Sequence, residues 1–250
     1  MRRFVSILVA SCFLLGLALS GRAGDDKEAA AIIDKAVKAH LGKEKKSSGA
    51  YRGKNKGTLF ILGQELEFTQ EIALQLPGKF KETMDLTIMD KKITVKTVFD
   101  GKQGWIRAGD KDVPVTKEIL EEFKSAADMI AIAQGVFVKD KSIKLSLLGE
   151  VQVNGKPALG VKVSKKGKEI NFYFDKKTGL TAKVERRTRD FMSGQEVTEE
   201  RIITEYQKVS GRPAPKKVVV QRDGKKFLEA EVVETQFPEK VEDSEFAKPN

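Results

Sequence analysis

The apolar and polar positions of the chain repeat with two different periods, and each period predicts one kind of element. Between Asp25 and Leu41 the apolar residues recur at helical spacing, and Gly42 follows as a helix stop. The same spacing returns after Thr116, a predicted N-cap, and continues to about Val136. The sequence therefore predicts two amphipathic helices at these two places.

Most of the remaining chain, from Tyr51 onward, has a period of two and is rich in β-branched and aromatic residues, which is typical of strands. Turn dipeptides such as Pro77-Gly78, Asn154-Gly155 and Asp223-Gly224 separate these runs. Such connections are too short for parallel crossovers. We therefore expect a meander of about 11 to 12 antiparallel strands, interrupted once by the second helix.

The alternation also predicts how the sheet is covered. In one strand Met84, Leu86 and Ile88 alternate with Asp85 and Thr87, and other strands repeat this pattern. One face of the sheet is therefore expected to be apolar and the other to face water. A single open, strongly curved antiparallel half-barrel, with the amphipathic helices on its concave apolar face, fits this pattern better than a sandwich. We predict a mainly β fold of the α+β type.

The first 23 residues have the parts of a secretory signal peptide: a basic start, an apolar run from Phe4 to Leu19, and the small residues Gly21 and Ala23. The run is shorter than the roughly 20 residues of a membrane-spanning helix. A lipoprotein box ending at Cys12 is the alternative, but the apolar run continues beyond that cysteine. We expect residues 1–23 to be removed and residues 24–250 to form a single periplasmic or secreted domain.

The residue types available for chemistry are few. The chain has one cysteine and one histidine, Cys12 and His40, which excludes a Cys/His zinc site, a Cys/His nucleophile pair and a disulfide framework. No glycine-framed serine elbow is present, and the acidic residues are spread singly along the strands. We therefore expect a protein that is not an enzyme, without catalytic residues, a bound metal or a cofactor.

The net charge and the distribution of basic residues limit the kinds of partner that the protein is expected to bind. Removing residues 1–23 takes away Arg2, Arg3 and Arg22, so the net charge falls from +10 to +7. The basic run Glu185–Arg189 is a candidate for transient contact with an anionic membrane surface, although a solvated strand face is the alternative interpretation. No aromatic residues cluster within a basic groove, so we expect no binding of nucleic acid.

The order of helix, meander, helix and second meander resembles the LolA and LolB periplasmic lipoprotein carriers, the outer-membrane lipoprotein-sorting family. The matching motifs are, in chain order, Leu74–Lys81, Phe99–Trp105, Phe172–Asp175 with Thr178–Leu180, and the ending Asp243–Pro249. The family's arginine after the Pro-x-x-Phe element is Lys81 here, and the protruding hydrophobic loop of the receptor member has no identifiable counterpart. The chain therefore resembles a divergent member.

The resemblance implies an unclosed barrel whose concave apolar side holds a lipid, an acyl chain or a lipoprotein, and we expect it to act as a monomer. The alternative is a periplasmic regulatory or sensor module that binds an envelope protein. For the inserted helix and for Trp105, plain core packing is the competing interpretation. The candidate ligand-binding residues are Leu74, Leu76, Met84, Leu86, Ile88, Trp105, Phe123, Met129, Ile130, Phe172 and Phe174.

The signal-peptide hypothesis predicts that the exported protein begins near Gly24, because cleavage follows the small residues at the end of the apolar run. Intact-mass measurement or Edman sequencing of protein purified from the cell envelope checks this. An N-terminus at a lipid-modified Cys12 would contradict it.

Overall fold

The computed structural model describes residues 23–42, 47–61, 63–88, 91–133, 142–165, 167–190 and 193–249. Helix α1 spans Ala23–Leu41, helix α2 spans Lys117–Ala133, and a short 3-10 helix spans Asp243–Phe246. The strands are β1 Ala50–Ile61, β2 Gln64–Gln75, β3 Lys79–Ile88, β4 Lys91–Phe99, β5 Gly104–Ala108, β6 Lys111–Val113, β7 Ile143–Val153, β8 Lys156–Lys165, β9 Lys168–Asp175, β10 Thr181–Arg189, β11 Glu196–Val209, β12 Arg212–Arg222 and β13 Lys225–Gln236.

All thirteen described strands lie in one sheet, in the order β6-β5-β4-β3-β2-β1-β13-β12-β11-β10-β9-β8-β7. Every pairing is antiparallel. The β1–β13 pairing joins the meander β1–β6 to the meander β7–β13. Among the described strands β6 and β7 remain the two edges, and α2 connects them along the chain. The predicted open antiparallel fold with two helices is confirmed.

Local chemistry explains the hairpins. Both residues of Asn154-Gly155 and both of Asp223-Gly224 have positive φ, as a two-residue type I′ hairpin turn requires. Asparagine and aspartate adopt this conformation at low cost, and glycine adopts it freely. The turns predicted at these dipeptides are therefore confirmed.

The structure differs from the sequence prediction mainly at short or interrupted segments. Strand β6 was not predicted, because its three residues, Lys111–Val113, are all exposed and too few to show a period. The end of the second helix was predicted at Val136, but residues 134–141 lie outside the described residues. The same holds for residues 1–22, which include nearly all of the predicted signal peptide.

Both helices pack on the concave face of the sheet. The α1 cluster consists of Ala29, Ile33 and Ala36 of the helix against the buried residues Val161, Val163, Ile170, Phe172, Phe174 and Val184 of strands β8 to β10. The α2 cluster consists of Phe123 and Ala127 of the helix against Leu74, Phe80 and Phe99 of strands β2 to β4. Ile130 of α2 packs against both clusters. Helix α2 therefore bridges the two arms of the open sheet.

A third group of concave residues has no helix residue among its described contacts. We call it the uncovered cluster. Within the described part of the chain it is made entirely of strand residues, from β1, β2, β3 and β13. Its members are Leu59, Phe68 and Ala230, with Ile61, Leu66, Met84, Leu86, Phe227 and Leu228 packed against them. One end of the concave face thus has an apolar floor that α1 and α2 do not contact, with Leu59, Phe68 and Ala230 buried and the other members partly exposed.

The convex face is not uniformly polar, which corrects the prediction of one apolar and one water-facing side. Ala73, Val98 and Trp105 point away from the helices and pack under Val241 and Phe246 of the C-terminal segment. Both of these C-terminal side chains are almost completely buried. The alternation alone did not reveal this, because a chain terminus that returns across the outer face buries residues that otherwise face water.

His40 ties the end of α1 to the sheet. Its Nδ1 lies 2.8 Å from the carbonyl oxygen of Ala36, and its Nε2 lies 3.3 Å from the hydroxyl of Thr181. Tyr206 donates its hydroxyl proton to the Thr181 carbonyl at 2.9 Å. Burial lowers the pKa of His40, and the nearby Arg212 lowers it further, against a raising effect of the Ala36 carbonyl. The neutral ring is therefore the form that the fold favours.

This lowered pKa predicts a pH dependence of stability. The unfolded histidine titrates near 6.5 and the folded one below that, so the unfolded state binds more protons between the two values. The unfolding free energy is therefore expected to fall as the pH drops below about 6.5. His40→Gln is expected to lose about 1 kcal/mol at pH 7 and to flatten this slope. Urea unfolding between pH 7 and 5 measures both effects, and an unchanged slope in the variant would contradict the assignment.

Candidate functional site

The strand register identifies the side chains that face the concavity. Tyr51, Leu74 and Phe80 lie opposite one another in β1, β2 and β3, and Leu74 and Phe80 contact the α2 cluster. Because side chains alternate between the faces of a strand, every second residue from these positions also faces inward. The inward set includes polar residues that the sequence pattern did not assign to the interior.

A row of polar side chains crosses the concave face between the α2 cluster and the uncovered cluster. Asn55 Nδ2 donates to Gln70 Oε1 at 2.6 Å, and Gln70 Nε2 donates to Glu82 Oε1 at 2.7 Å. We call these three residues the polar ladder. Glu82 keeps part of its surface accessible, yet the neighbouring protein desolvates its carboxyl group. This desolvation raises the pKa of the Glu82 carboxyl, against a lowering by Gln70 and Arg201.

The facing arm of the sheet carries a buried ionic network. Glu199 of β11 is 7% exposed and lies between two guanidinium groups. Arg186 Nη2 and Arg222 Nη2 each lie 3.1 Å from one of its carboxylate oxygens. Burial alone would raise the pKa of Glu199, but the charges of Arg186, Arg201 and Arg222 outweigh it and hold the pKa below its usual range. Glu199 is thus fully paired in the folded state.

Arg201 differs from these arginines. It lies opposite Val184 of β10 and Val220 of β12, whose side chains are buried in the interior, so Arg201 points into the concavity as well. Its side chain is exposed, unlike those two neighbours. Among the described residues no acceptor lies within hydrogen-bond or ion-pair distance of Arg201. The positive charge of Arg201 nevertheless lowers the pKa of both Glu82 and Tyr51, against the raising effect of burial at each.

The concave face is therefore apolar at both ends and polar in the middle, which corrects the expectation of an entirely apolar concave side. The signal that identifies the middle was available in the sequence, since Gln70 and Glu82 have the same parity as their inward apolar neighbours. It was missed because a charged residue in a strand is normally assigned to the water-facing side.

The structure distributes the predicted ligand-binding residues over several places. Leu74 and Phe123 lie in the α2 cluster, Phe172 and Phe174 in the α1 cluster, and Ile130 contacts both. Met84 and Leu86 lie in the uncovered cluster, with Ile88 two residues further along β3, and Leu76 is buried just after β2. Trp105 packs on the convex face, and the Met129 side chain lies outside the described residues.

The basic run Glu185–Arg189 is divided between the two faces. Arg186 points inward to Glu199, whereas Arg187 is exposed on the convex side and pairs with Glu196 at 3.2 Å. Alternation along β10 thus prevents the run from forming one continuous cationic surface.

A cavity of about 490 Å³ opens beside the first turns of α2 and the β10–β11 hairpin. Its lining is charged and polar, with Lys117, Glu121 and Thr188 among its residues. At its edge Thr188 donates to Glu122 Oε2 at 2.8 Å, and Arg186 Nη1 lies 3.8 Å from the same oxygen. These contacts tie the N-terminal half of α2 to β10.

Two further findings concern the described residues as a whole. They contain no group of three or more histidine, cysteine, aspartate or glutamate side chains arranged to hold a metal ion. They also contain no helix long and apolar enough to cross a membrane.

The raised pKa of Glu82 predicts that its charge destabilises the fold. Between the unfolded pKa and the higher folded pKa the native state binds more protons, so stability is lost as the pH rises through that window. Glu82→Gln, which still accepts the Gln70 hydrogen bond, is expected to unfold at a higher urea concentration than the parent at pH 7, with the difference shrinking toward pH 4. Glu71→Gln, on the convex face of the adjacent strand, is the control. A pH-independent loss of stability in Glu82→Gln would contradict the prediction.

Comparison with known proteins extends the description of the fold. The chain is similar to an outer membrane lipoprotein-sorting protein domain from Vibrio parahaemolyticus, with a TM-score of 0.56 and 12% identity over 89% of this chain and 97% of that one. It is also similar to a LolA superfamily protein from Nitrosomonas europaea, with a TM-score of 0.53 and 10% identity over 88% and 97%.

A DUF1329 family protein from Desulfovibrio piger gives a TM-score of 0.53 and 13% identity over 88% of this chain and 97% of that one. No family model and no curated protein matches the sequence. At these identities the likeness concerns the fold. The chain has a divergent LolA-like fold, as the sequence motifs predicted.

Proposed function

We propose that this protein is a non-catalytic binding protein of the cell envelope that holds a lipid, an acyl chain or a lipoprotein in the concavity of its sheet. The observation that carries the proposal is the position of α2, which connects the two free edges of an open sheet and covers part of its concave face. The lipoprotein-sorting domain and the LolA superfamily protein of similar fold support the same class of function.

Helix α2 covers the sheet through a small number of apolar contacts. The ring of Phe123 meets Phe80 edge-on, with 5.5 Å between the ring centroids, and lies 6.1 Å from Phe99. Gly104 of β5 lies directly under Phe123, because a Cβ at this glycine would come within 2.5 Å of the ring. The sheet surface thus packs closely around one aromatic side chain of the helix.

A cover of this kind can be exchanged for a ligand. Moving α2 away from the sheet exposes apolar area at a cost of about 25 cal/mol per Å². An acyl chain that occupies the same surface recovers about 0.8 kcal/mol for each methylene it buries. Since the two free energies are of similar kind and size, ligand entry requires no covalent bond to be broken and no strand to unfold, and the polar contacts of Glu122 and Asp128 with the sheet are exchanged for contacts with water. In the ligand-free state α2 covers this part of the concave face, and in the ligand-bound state the acyl chain covers it.

Ligand binding beneath α2 is tested by placing a charge where this helix contacts both arms of the sheet. Ile130→Glu is expected to weaken the binding of a fluorescent fatty acid at least about ten-fold, because a carboxylate in this seam repels the apolar ligand and is costly to bury. Far-UV circular dichroism is expected to remain strand-like.

A loss of stability alone is controlled by Phe246→Ala, which removes a buried ring from the convex face without touching the concavity. This variant is expected to be destabilised by about 3 kcal/mol and to bind the probe like the parent. Unchanged affinity in a folded Ile130→Glu protein would remove α2 from the site.

Mass spectrometry of organic extracts from natively purified protein identifies the ligand. Co-purification of a membrane protein without lipid would favour the sensor alternative, and turnover of a lipid would contradict a non-catalytic role.

A further inference from the structure

Three features of the concave trough are not explained by the packing of α1 and α2 on the sheet. Among the described residues no helix packs on the uncovered cluster, in which Leu59, Phe68 and Ala230 are buried and the surrounding apolar side chains are partly exposed. Arg201 points into the trough with an exposed side chain. The polar ladder separates the uncovered cluster from the part of the sheet that α2 covers.

Arg201 lies one strand away from the uncovered cluster, on the same face of the sheet. In the register of the sheet Arg201 pairs with Val220, and Val220 pairs with Leu228, a member of that cluster. A guanidinium group offers five N–H donors in a planar fork. Within the described part of the chain none of these donors has a hydrogen-bond acceptor, whereas Arg186 donates to Glu199, and Arg222 donates to both Glu199 and Asp190. The cation and the apolar floor therefore form adjacent parts of one surface.

The nearby carboxylates do not complete this site. Glu199 already receives hydrogen bonds from two other arginines, and Glu82 accepts from Gln70. Burial also raises the pKa of Glu82, which weakens it as a counter-ion for Arg201. Charge complementarity thus favours an anion at Arg201, and the apolar neighbours favour a hydrocarbon attached to it.

We propose that Arg201 binds the anionic head of an acyl amphiphile, a carboxylate or a phosphate, while the acyl chain lies along the uncovered cluster. This proposal rests on the proposed function, because it assumes that the concave face holds acyl chains. It adds the chemical class of the head group and the half of the trough in which the chain lies.

The first test compares ligands that share a tail and differ in charge. Dodecanoate, dodecyl phosphate and dodecanol are titrated against the whole exported protein by displacement of a fluorescent fatty acid. The anions are expected to bind more tightly than the alcohol. Arg201→Gln is expected to lower the affinity for the anions about ten-fold and to leave the affinity for dodecanol unchanged. Arg107→Gln is the matched control, since Arg107 lies on the convex face and pairs with Asp112 at 2.9 Å.

The second test locates the acyl chain. Leu86→Glu introduces a charge into the uncovered cluster and is expected to weaken the binding of all three ligands, including dodecanol. Thr87→Glu adds the same charge at the exposed neighbouring position on the opposite face and is expected to bind like the parent. Glu82→Gln is expected to strengthen binding of the two anions, because it removes a carboxylate that faces the head group.

The outcomes separate the two proposals. Loss of anion preference in Arg201→Gln supports the inference, and a loss confined to one anion identifies the head group as carboxylate or phosphate. Equal binding of anions and alcohol by the parent, unchanged in Arg201→Gln, would overturn the role of Arg201 and leave the proposed function intact. Failure of the parent to bind any of the three ligands would overturn the proposed function itself.

Discussion

The pairing of β1 with β13 is the contact on which the rest of the structure depends. All other strand pairs join neighbours along the chain, whereas this pair joins the start of the first meander to the end of the second. It brings Gly57 so close to β13 that a Cβ there would come within 1.9 Å of the Glu229 carbonyl oxygen. Glycine is therefore required where the two meanders meet. A register shift between Lys54 and Asn55 adds twist at the same junction.

Joining the meanders in this way creates a trough and leaves it open. The two sheet edges β6 and β7 lie at opposite ends of the strand order, so the concave surface has to be covered by other elements. The two helices do this differently. Helix α1 combines an apolar stripe with polar ties from His40 and from Lys35, whose Nζ donates to the Lys176 carbonyl at 2.8 Å. Helix α2 is held by Phe123 and Ile130 and by polar contacts as well, in which Thr188 donates to Glu122, Lys165 pairs with Asp128 and Lys168 donates to the Glu121 carbonyl.

Burying the interior polar residues costs free energy, and their hydrogen bonds and ion pairs compensate for this cost to different extents. Gln70 links Asn55 to Glu82 across three strands and leaves only Asn55 Oδ1 of this ladder buried without a partner among the described residues, and Glu199 is held by two arginines. Leaving such groups unpaired in the interior costs more than their hydrogen bonds return, which explains why they occur as connected sets. Arg201 stands outside these sets, and its exposed side chain leaves the guanidinium accessible to water.

Much of the architecture was predictable from local sequence. The helical spacing before Gly42 and after Thr116 determined both helices, and the dipeptides Asn154-Gly155 and Asp223-Gly224 determined hairpin turns, because these signals depend only on neighbours along the chain. The three exposed residues of β6 gave no such signal. The order of the meanders and helices was enough to predict an open, curved sheet, because short connections permit only antiparallel neighbours.

The composition of the candidate site was decided by tertiary structure. Alternation shows which residues share a face, but it does not show whether a charged residue such as Glu82 or Arg201 belongs to the inner face, since that depends on which strand lies across the trough. The same limit applies to Trp105, whose burial arises from the returning C-terminal segment and not from the concavity. The sequence by itself determined the elements and their order, whereas only the tertiary structure decided which residues of a strand are buried, because burial depends on the distant segments that pack against each face.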